Sequence, residues 1–211
     1  MADQGRCAFF YGTLMAPQVM HRVCHGSMSA DNPVYATHQL KTFPAVLHGY
    51  RRSRVRWADY PGILLDPTSS VRGTYVTGLT DSDIWRLDIF EGNEYRRDKV
   101  KVRLLTDVGD EHGKGNVEGE EVEAETYVWS SNPDSLEERE WDFAEFQREK
   151  MRFWVGAEGE GEYAGRPSII EVDEAVAAQQ KDGTGGRGAN GHISHALKAE
   201  QSKDHVLRNA V

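Results

Sequence analysis

The sequence predicts an α+β fold: a small mixed, mainly antiparallel β-barrel flanked by α-helices. Three observations point there. Strand-length apolar or alternating runs outnumber helical ones, they lie in succession with Gly and Pro between them, and the helical patterns stand singly rather than alternating strictly with strands. The last point argues against a doubly wound parallel sheet.

The first element is Cys7-Ala8-Phe9-Phe10-Tyr11, a short aromatic-rich run stopped by Gly12, which predicts a buried strand. Thr13 and Leu14 lead to Pro17, suited to the first turn of a helix that continues through Val19, Met20 and Val23 to Gly26. Residues 32–76 read as strands and turns: Val34 to Thr37 is β-prone, Pro44, Gly49, Pro61 and Gly62 punctuate, and Val71 to Thr77 alternates in part. Asp81 to Glu91 predicts a helix, with Thr80 as N-cap, Asp81 and Asp83 at its positive end and Gly92 closing it. Val100, Val102 and Leu104 alternate within a strand from Tyr95 to Leu105, residues 109–119 form a glycine-rich acidic loop, and a strand from Glu121 to Trp129 follows. The strongest helical pattern runs from Asp134 to Val155 and carries Trp141, Ala144, Arg148, Met151 and Val155 at helical spacing. Residues 181–191 hold five glycines, so one domain over 1–157 and a mostly disordered tail over 158–211 are expected.

Composition narrows the function. Of the net charge of −9, most falls between Thr106 and Thr126, where eight acidic residues face Lys114 alone. Such a field repels phosphate backbones, so a nucleic-acid partner is not expected. Two cysteines, Cys7 and Cys24, make no disulfide scaffold and fit a reducing compartment. The N-terminal MADQGRCAFFYG is not a signal peptide, and no stretch reaches the roughly 18 apolar residues of a membrane span. A cytoplasmic protein without a membrane partner is the expectation.

Two features carry chemistry. At about 100° per residue, Ile84, Leu87 and Glu91 share one stripe of their helix, with Asp88 beside them. A carboxyl on an apolar face resists ionisation and becomes a candidate general acid/base; the bland alternative is a frayed, solvated cap residue. The second feature is Tyr11-Gly12-Thr13-Leu14, a strand ending in a turn towards a helix. Free backbone N–H groups at such a turn suit a carboxylate or a developing oxyanion, although a Gly after a strand is commonly only a turn. No nucleotide-binding fingerprint is present. His21, Cys24 and His25 lack a further ligand at recognised metal spacing, so no metal and no cofactor are expected. Asp88 and Arg97 fit a structural ion pair bracing the helix against the next strand, and the arginines from Arg51 to Arg56 fit a solvated, salt-bridged edge.

Taken together, YGTLM (11–15), FPAVL (43–47), GYRR (49–52), YPG (60–62), LDIFEGNEYRR (87–97), AETYVW (124–129) and EFQREKM (145–151) resemble the gamma-glutamyl cyclotransferase-like superfamily, and its plant and fungal avirulence-induced-gene-like branch most. The resemblance spans about Phe9 to Val155. It implies an enzyme that releases 5-oxoproline from a small gamma-glutamyl substrate, with Glu91 as the catalytic acid/base. By the same resemblance the glutamyl moiety is held by Tyr11, Gly12, Thr13 and Leu14, with Met15 and Ala16 as further lining; Tyr127, on the AETYVW strand, is a candidate for the same pocket, although an aromatic in a strand is more often core. The alternative is a non-catalytic protein that binds a small acid in the same pocket. The acidic 106–120 loop and the tail depart from the family pattern.

Overall fold

The computed structural model describes residues 5–26, 38–110 and 113–151, together with 172, 174 and 176. In chain order these form β1 (Arg6–Phe10), α1 (Pro17–His25), β2 (Lys41–Arg54), β3 (Pro61–Leu79), α2 (Asp81–Glu91), β4 (Tyr95–Asp107), β5 (Val117–Trp129) and a short α3 (Phe143–Glu145) that runs on into a π-helical turn, Phe146–Lys150. The strands close into a barrel in the order β1-β3-β2-β4-β5, antiparallel except where β5 returns beside β1 in parallel. Among the described residues no helix is long and apolar enough to cross a membrane.

Two apolar clusters follow from the alternation of side chains along each strand. Phe9, Ala45, Leu47, Ile63, Val71, Val102, Ala124 and Val128 come from all five strands and fill the inside. On the other face Ala8, Phe10, Val76 and Leu79 meet Val19, Met20 and Val23 of α1 and Ile84 and Leu87 of α2. Gly73 permits the contact of β3 with β1, since a Cβ there would lie 2.3 Å from the Phe10 carbonyl oxygen and 2.6 Å from the Phe9 ring.

The parallel seam is short, with Ala8 opposite Glu125 as its register pair. Side chains complete it. Arg6 grips Glu125 through Nη2 at 2.7 Å, the buried Thr126 hydroxyl donates to the Phe9 carbonyl at 2.8 Å, and the Tyr11 phenol donates to the Tyr127 carbonyl at 2.6 Å.

The helix α2 begins as its sequence implies. Thr80 and Asp83 form a reciprocal capping box, with Asp83 Oδ2 accepting from the Thr80 N–H at 2.7 Å and Thr80 Oγ1 accepting from the Asp83 N–H at 3.2 Å.

Three expectations need correction. The helix foreseen from Asp134 starts only at Phe143, capped by Asp142, whose carboxylate accepts from the Ala144 and Glu145 N–H groups. Tertiary pairing overrides helical periodicity before that point: Leu136 bridges Val55, the Arg56 N–H donates to the Ser135 carbonyl, and the Trp141 indole donates to the Asp59 carbonyl. The last residues of that expected helix, 152–155, lie outside the described residues. The acidic loop is also shorter than 109–119, because Val117 and Glu118 already pair with Asp107 and Leu105 of β4. Their strand carries its acids on an outer face where Lys101 and Arg103 reach Glu121. Finally, Pro44 does not interrupt β2: it faces Thr74 inside a continuous ladder, and the irregularity falls at Gly49, whose φ of 80° suits glycine.

The β-prone run at 34–37 lies outside the described residues, as does the expected tail apart from positions 172, 174 and 176. Of these, Val172 is buried in the outer apolar cluster.

Candidate active site

Glu91 is the last residue of α2, and Gly92 ends the helix with a φ of 69°. Ile84 and Leu87, its stripe-mates, are buried and fix the rotation of the helix. Glu91 itself is neither buried nor exposed, yet burial pushes its carboxyl up from the ordinary range to about 8, with the neighbouring Asp88 charge as the second cause. The carboxyl is thus desolvated although the residue keeps some contact with solvent. Among the described residues no side chain or amide hydrogen-bonds that carboxyl.

Its neighbours are phenols. The Tyr11, Tyr95 and Tyr127 hydroxyls are all held protonated, raised first by burial, and each also feels the Glu91 charge. Tyr95 donates to the Pro61 carbonyl at 2.9 Å, Tyr127 donates to Asp88 Oδ1 at 2.8 Å, and Tyr60 donates to Glu94 Oε2 at 3.2 Å. The bonds of Tyr95 and Tyr127 fix those two rings near Glu91 without consuming its oxygens.

Asp88 is itself anchored. Arg97 Nε approaches Asp88 Oδ1 at 3.1 Å while its Nη1 donates to Glu125 Oε1 at 2.9 Å, so helix and strand are braced as the sequence implied. The Nε–Oδ1 approach is an ion contact without hydrogen-bond alignment, and Arg97 Nε has no hydrogen-bond partner among the described residues.

The Tyr11–Ala16 turn stands beside this group, because the Tyr11 ring is common to both. Thr13–Met15 form one 3₁₀ turn, in which the Met15 N–H donates to the Gly12 carbonyl at 3.0 Å and the Ala16 N–H to the Thr13 carbonyl at 3.1 Å. Those two amides are thereby occupied. Among the described residues the N–H groups of Gly12, Thr13 and Leu14 have no acceptor in the protein, as expected at the start of a turn that no side chain caps. Thr13, Leu14 and Ala16 are buried and hold the turn against the core, while Met15 is half-buried. Gly12 packs flat on the next motif: a Cβ there would stand 3.0 Å from both Cγ and Cδ of Pro61.

The structure thus brings Glu91, Tyr11, Gly12 and Tyr127 into one neighbourhood. Sequence reasoning missed Tyr60 and Tyr95, and it placed Arg52 on a solvated edge. Arg52 is instead drawn inward, its side chain 11% exposed, with Nη1 donating to the Tyr11 carbonyl at 3.0 Å and Nη2 to Glu140 at 2.9 Å. The signal was present, since all three lie inside the quoted motifs YPG, LDIFEGNEYRR and GYRR, but nothing in a strand pattern separates a lining aromatic from a core one.

The other candidates do not join this group. His21 and His25 contact each other, His25 contacts His38, and His38 reaches the Gly78 carbonyl at 2.8 Å. Cys24 is buried against Met20, and burial raises its thiol far out of the nucleophilic range.

A family model described as gamma-glutamyl cyclotransferase, AIG2-like, matches residues 8–143. The chain belongs to this family. It is 32% identical to Protein AIG2 C of Arabidopsis thaliana, over 68% of this chain and 73% of that one. A solution structure from the same plant is 26% identical, with 70% of this chain and 84% of that chain covered and a TM-score of 0.48. The crystal structure of a gamma-glutamyl cyclotransferase specific to glutathione from yeast is 12% identical, covering 82% and 97% with a TM-score of 0.43. Every segment that positions Glu91 and the Tyr11–Ala16 turn falls inside the matched range.

Proposed function

We propose that the protein is a gamma-glutamyl cyclotransferase that releases 5-oxoproline from small gamma-glutamyl compounds, with Glu91 as the acid/base. The observation that carries this reading is the desolvated Glu91 carboxyl, pushed up to about 8 and neighboured by phenols that leave its oxygens unbonded.

In this reaction the substrate supplies its own nucleophile. The α-ammonium loses a proton to Glu91, and the amine nitrogen attacks the γ-carbonyl carbon. A five-membered lactam C–N bond and a tetrahedral oxyanion result. As the oxyanion collapses, the bond to the leaving amine breaks and Glu91 gives its proton to that nitrogen. The ring nitrogen then passes its remaining extra proton by way of Glu91 to the departing amine, so that the neutral lactam of 5-oxoproline and a leaving ammonium result. No atom of the protein forms a covalent bond, so the chain's task is to hold the glutamyl unit curled, where effective molarities of about 10⁵–10⁸ M are available. The free N–H groups of Gly12, Thr13 and Leu14 would receive the substrate carboxylate and the oxyanion. One oxyanion donor is worth roughly 3–4 kcal/mol. A carboxyl of pKa near 8 is matched to both halves of the proton transfer at neutral pH. The protonated phenols, whose O–H groups are committed to the Tyr127 and Pro61 carbonyls and to Asp88, add no competing base.

The test is direct. Purified protein is incubated with gamma-glutamyl amino acids, gamma-glutamyl amines and glutathione while 5-oxoproline is measured, beside Glu91→Gln. Release by the wild type and its loss by at least about 100-fold in the variant are expected. Full release by Glu91→Gln sinks the assignment of Glu91, and silence of the wild type on all three classes favours a protein that only binds small acids.

A further inference from the structure

Arg52 is the buried cation that the reaction above does not use. It lies on β2, away from the Tyr11–Ala16 turn in sequence, yet its guanidinium reaches that turn and donates from Nη1 to the Tyr11 carbonyl at 3.0 Å, with the Arg72 carbonyl a weaker second acceptor at 3.4 Å. Nη2 is anchored on Glu140 at 2.9 Å, and the guanidinium stands 5.6 Å from the centre of the Trp141 ring. Nε is buried and, among the described residues, without a partner. A buried guanidinium with an unmet donor costs stability, so its retention calls for a compensating task.

We infer that Arg52 is a positioning residue that sets the direction of the Gly12 N–H. The reason is covalent. The Tyr11 carbonyl and the Gly12 N–H belong to one planar trans peptide and point in opposite directions. Holding that oxygen on Arg52, towards β2, turns the N–H of Gly12 the other way. Glycine makes such a restraint necessary: without a Cβ, position 12 accepts the backbone angles of either orientation at little cost. Its present φ and ψ, −122° and −143°, lie outside the main extended well, so local preference alone does not choose this peptide plane. Glu140 and Trp141, from the segment after β5, hold the guanidinium from its other side.

The inference rests on the cyclotransferase reading for its kinetic consequence and stands apart from it for its structural one. Arg52→Met and Arg52→Lys are compared with the wild type by three readouts. Amide NMR of ¹⁵N-labelled protein reports the Gly12 N–H. Its resonance and hydrogen exchange are expected to change in Arg52→Met and to recover in part in Arg52→Lys, whose ammonium can still reach one carbonyl. Thermal unfolding separates this from global loss of fold, and Glu140→Gln, on the exposed end of the ion pair, supplies a milder variant if Arg52→Met does not fold. In the 5-oxoproline assay kcat is expected to fall by roughly 100-fold with KM changed by less than about threefold, since an N–H directed at a developing oxyanion acts mainly in the transition state. An unmoved Gly12 amide in every folded variant overturns the inference, whatever the activity. A moved amide in a protein with no wild-type activity supports the positioning role and counts against the cyclotransferase reading alone.

Discussion

The phenol of Tyr11 donates to the backbone carbonyl of Tyr127 at 2.6 Å, across the parallel seam where the barrel closes. One side chain from the end of β1 therefore ties that strand to β5 beside Glu91, and the closure of the fold and the surroundings of Glu91 depend on the same oxygen.

Tyr11→Phe tests this link. The substitution keeps the ring but deletes the donor to the buried Tyr127 carbonyl, which costs about 1–3 kcal/mol. The midpoint of denaturant unfolding is expected to fall accordingly with an unchanged slope. A loss below about 0.5 kcal/mol would show that the seam closes without this bond.

Glu91 makes stability depend on pH. Its folded pKa, about 8, is raised above the ordinary carboxyl value of 4.5, so the native state holds a proton that the unfolded chain releases across that interval. The sign follows: the contribution is fully present below about 4.5, and stability is lost as pH rises towards 8, at about 1.4 kcal/mol per pH unit at most. Glu91→Gln removes the titration. The variant is expected to match the wild type near pH 4 and to exceed it by a few kcal/mol at pH 9, measured by denaturant unfolding at both values. Equal pH dependence in the two proteins would mean that the carboxyl is not sheltered.

Asp88 sets part of that pKa, three residues before Glu91 on the same helix face. Asp88→Asn keeps an acceptor for the Tyr127 phenol while deleting the negative charge, so Glu91 is expected to titrate lower than about 8 but still above the ordinary range, because burial, the larger cause, remains. The acid limb of kcat/KM against pH should move down with it, and a side-chain ¹³C titration of Glu91 reads the same shift without turnover. A limb that stays in place would separate the two carboxyls.

How far the sequence foretold this arrangement depended on the range of the interactions. The strand ending at Gly12, the Thr80–Asp83 cap and the Asp88–Arg97 brace are written in residues close together or in a well-known motif, and the structure contains all three. The helix expected from Asp134 failed for the opposite reason. Trp141 has helical spacing with Ala144 and Arg148, but it and the preceding Leu136 find their partners, Asp59 and Val55, on a turn some eighty residues earlier. Arg52 was misplaced in the same way: alternation along β2 gives its face, not the Tyr11 carbonyl waiting there. Tyr95 becomes a neighbour of Glu91, and Tyr60 of Glu94, only once the strands are brought round α2, which no local pattern encodes.

Two glycines separate the needs of the site from those of the fold. At Gly73 an added Cβ meets the Phe10 carbonyl oxygen at 2.3 Å and the Phe9 ring at 2.6 Å, both inside the barrel wall, so Gly73→Ala forces β1 and β3 apart. At Gly12 the obstacle is the Pro61 ring at 3.0 Å, on the rim, which yields by a few tenths of an ångström. Pro61 cannot move alone, because its carbonyl accepts from the Tyr95 phenol, whose ring stands near Glu91. Gly12→Ala is therefore expected to cost less than about 1 kcal/mol of stability while lowering 5-oxoproline release by at least tenfold. Gly73→Ala is expected to cost about 3 kcal/mol or more, with the activity of the folded fraction nearly unchanged. Unfolding curves and turnover per folded molecule check both. Similar ratios of activity to stability in the two variants would mean that the Gly12–Pro61 contact belongs to the scaffold and not to the chemistry.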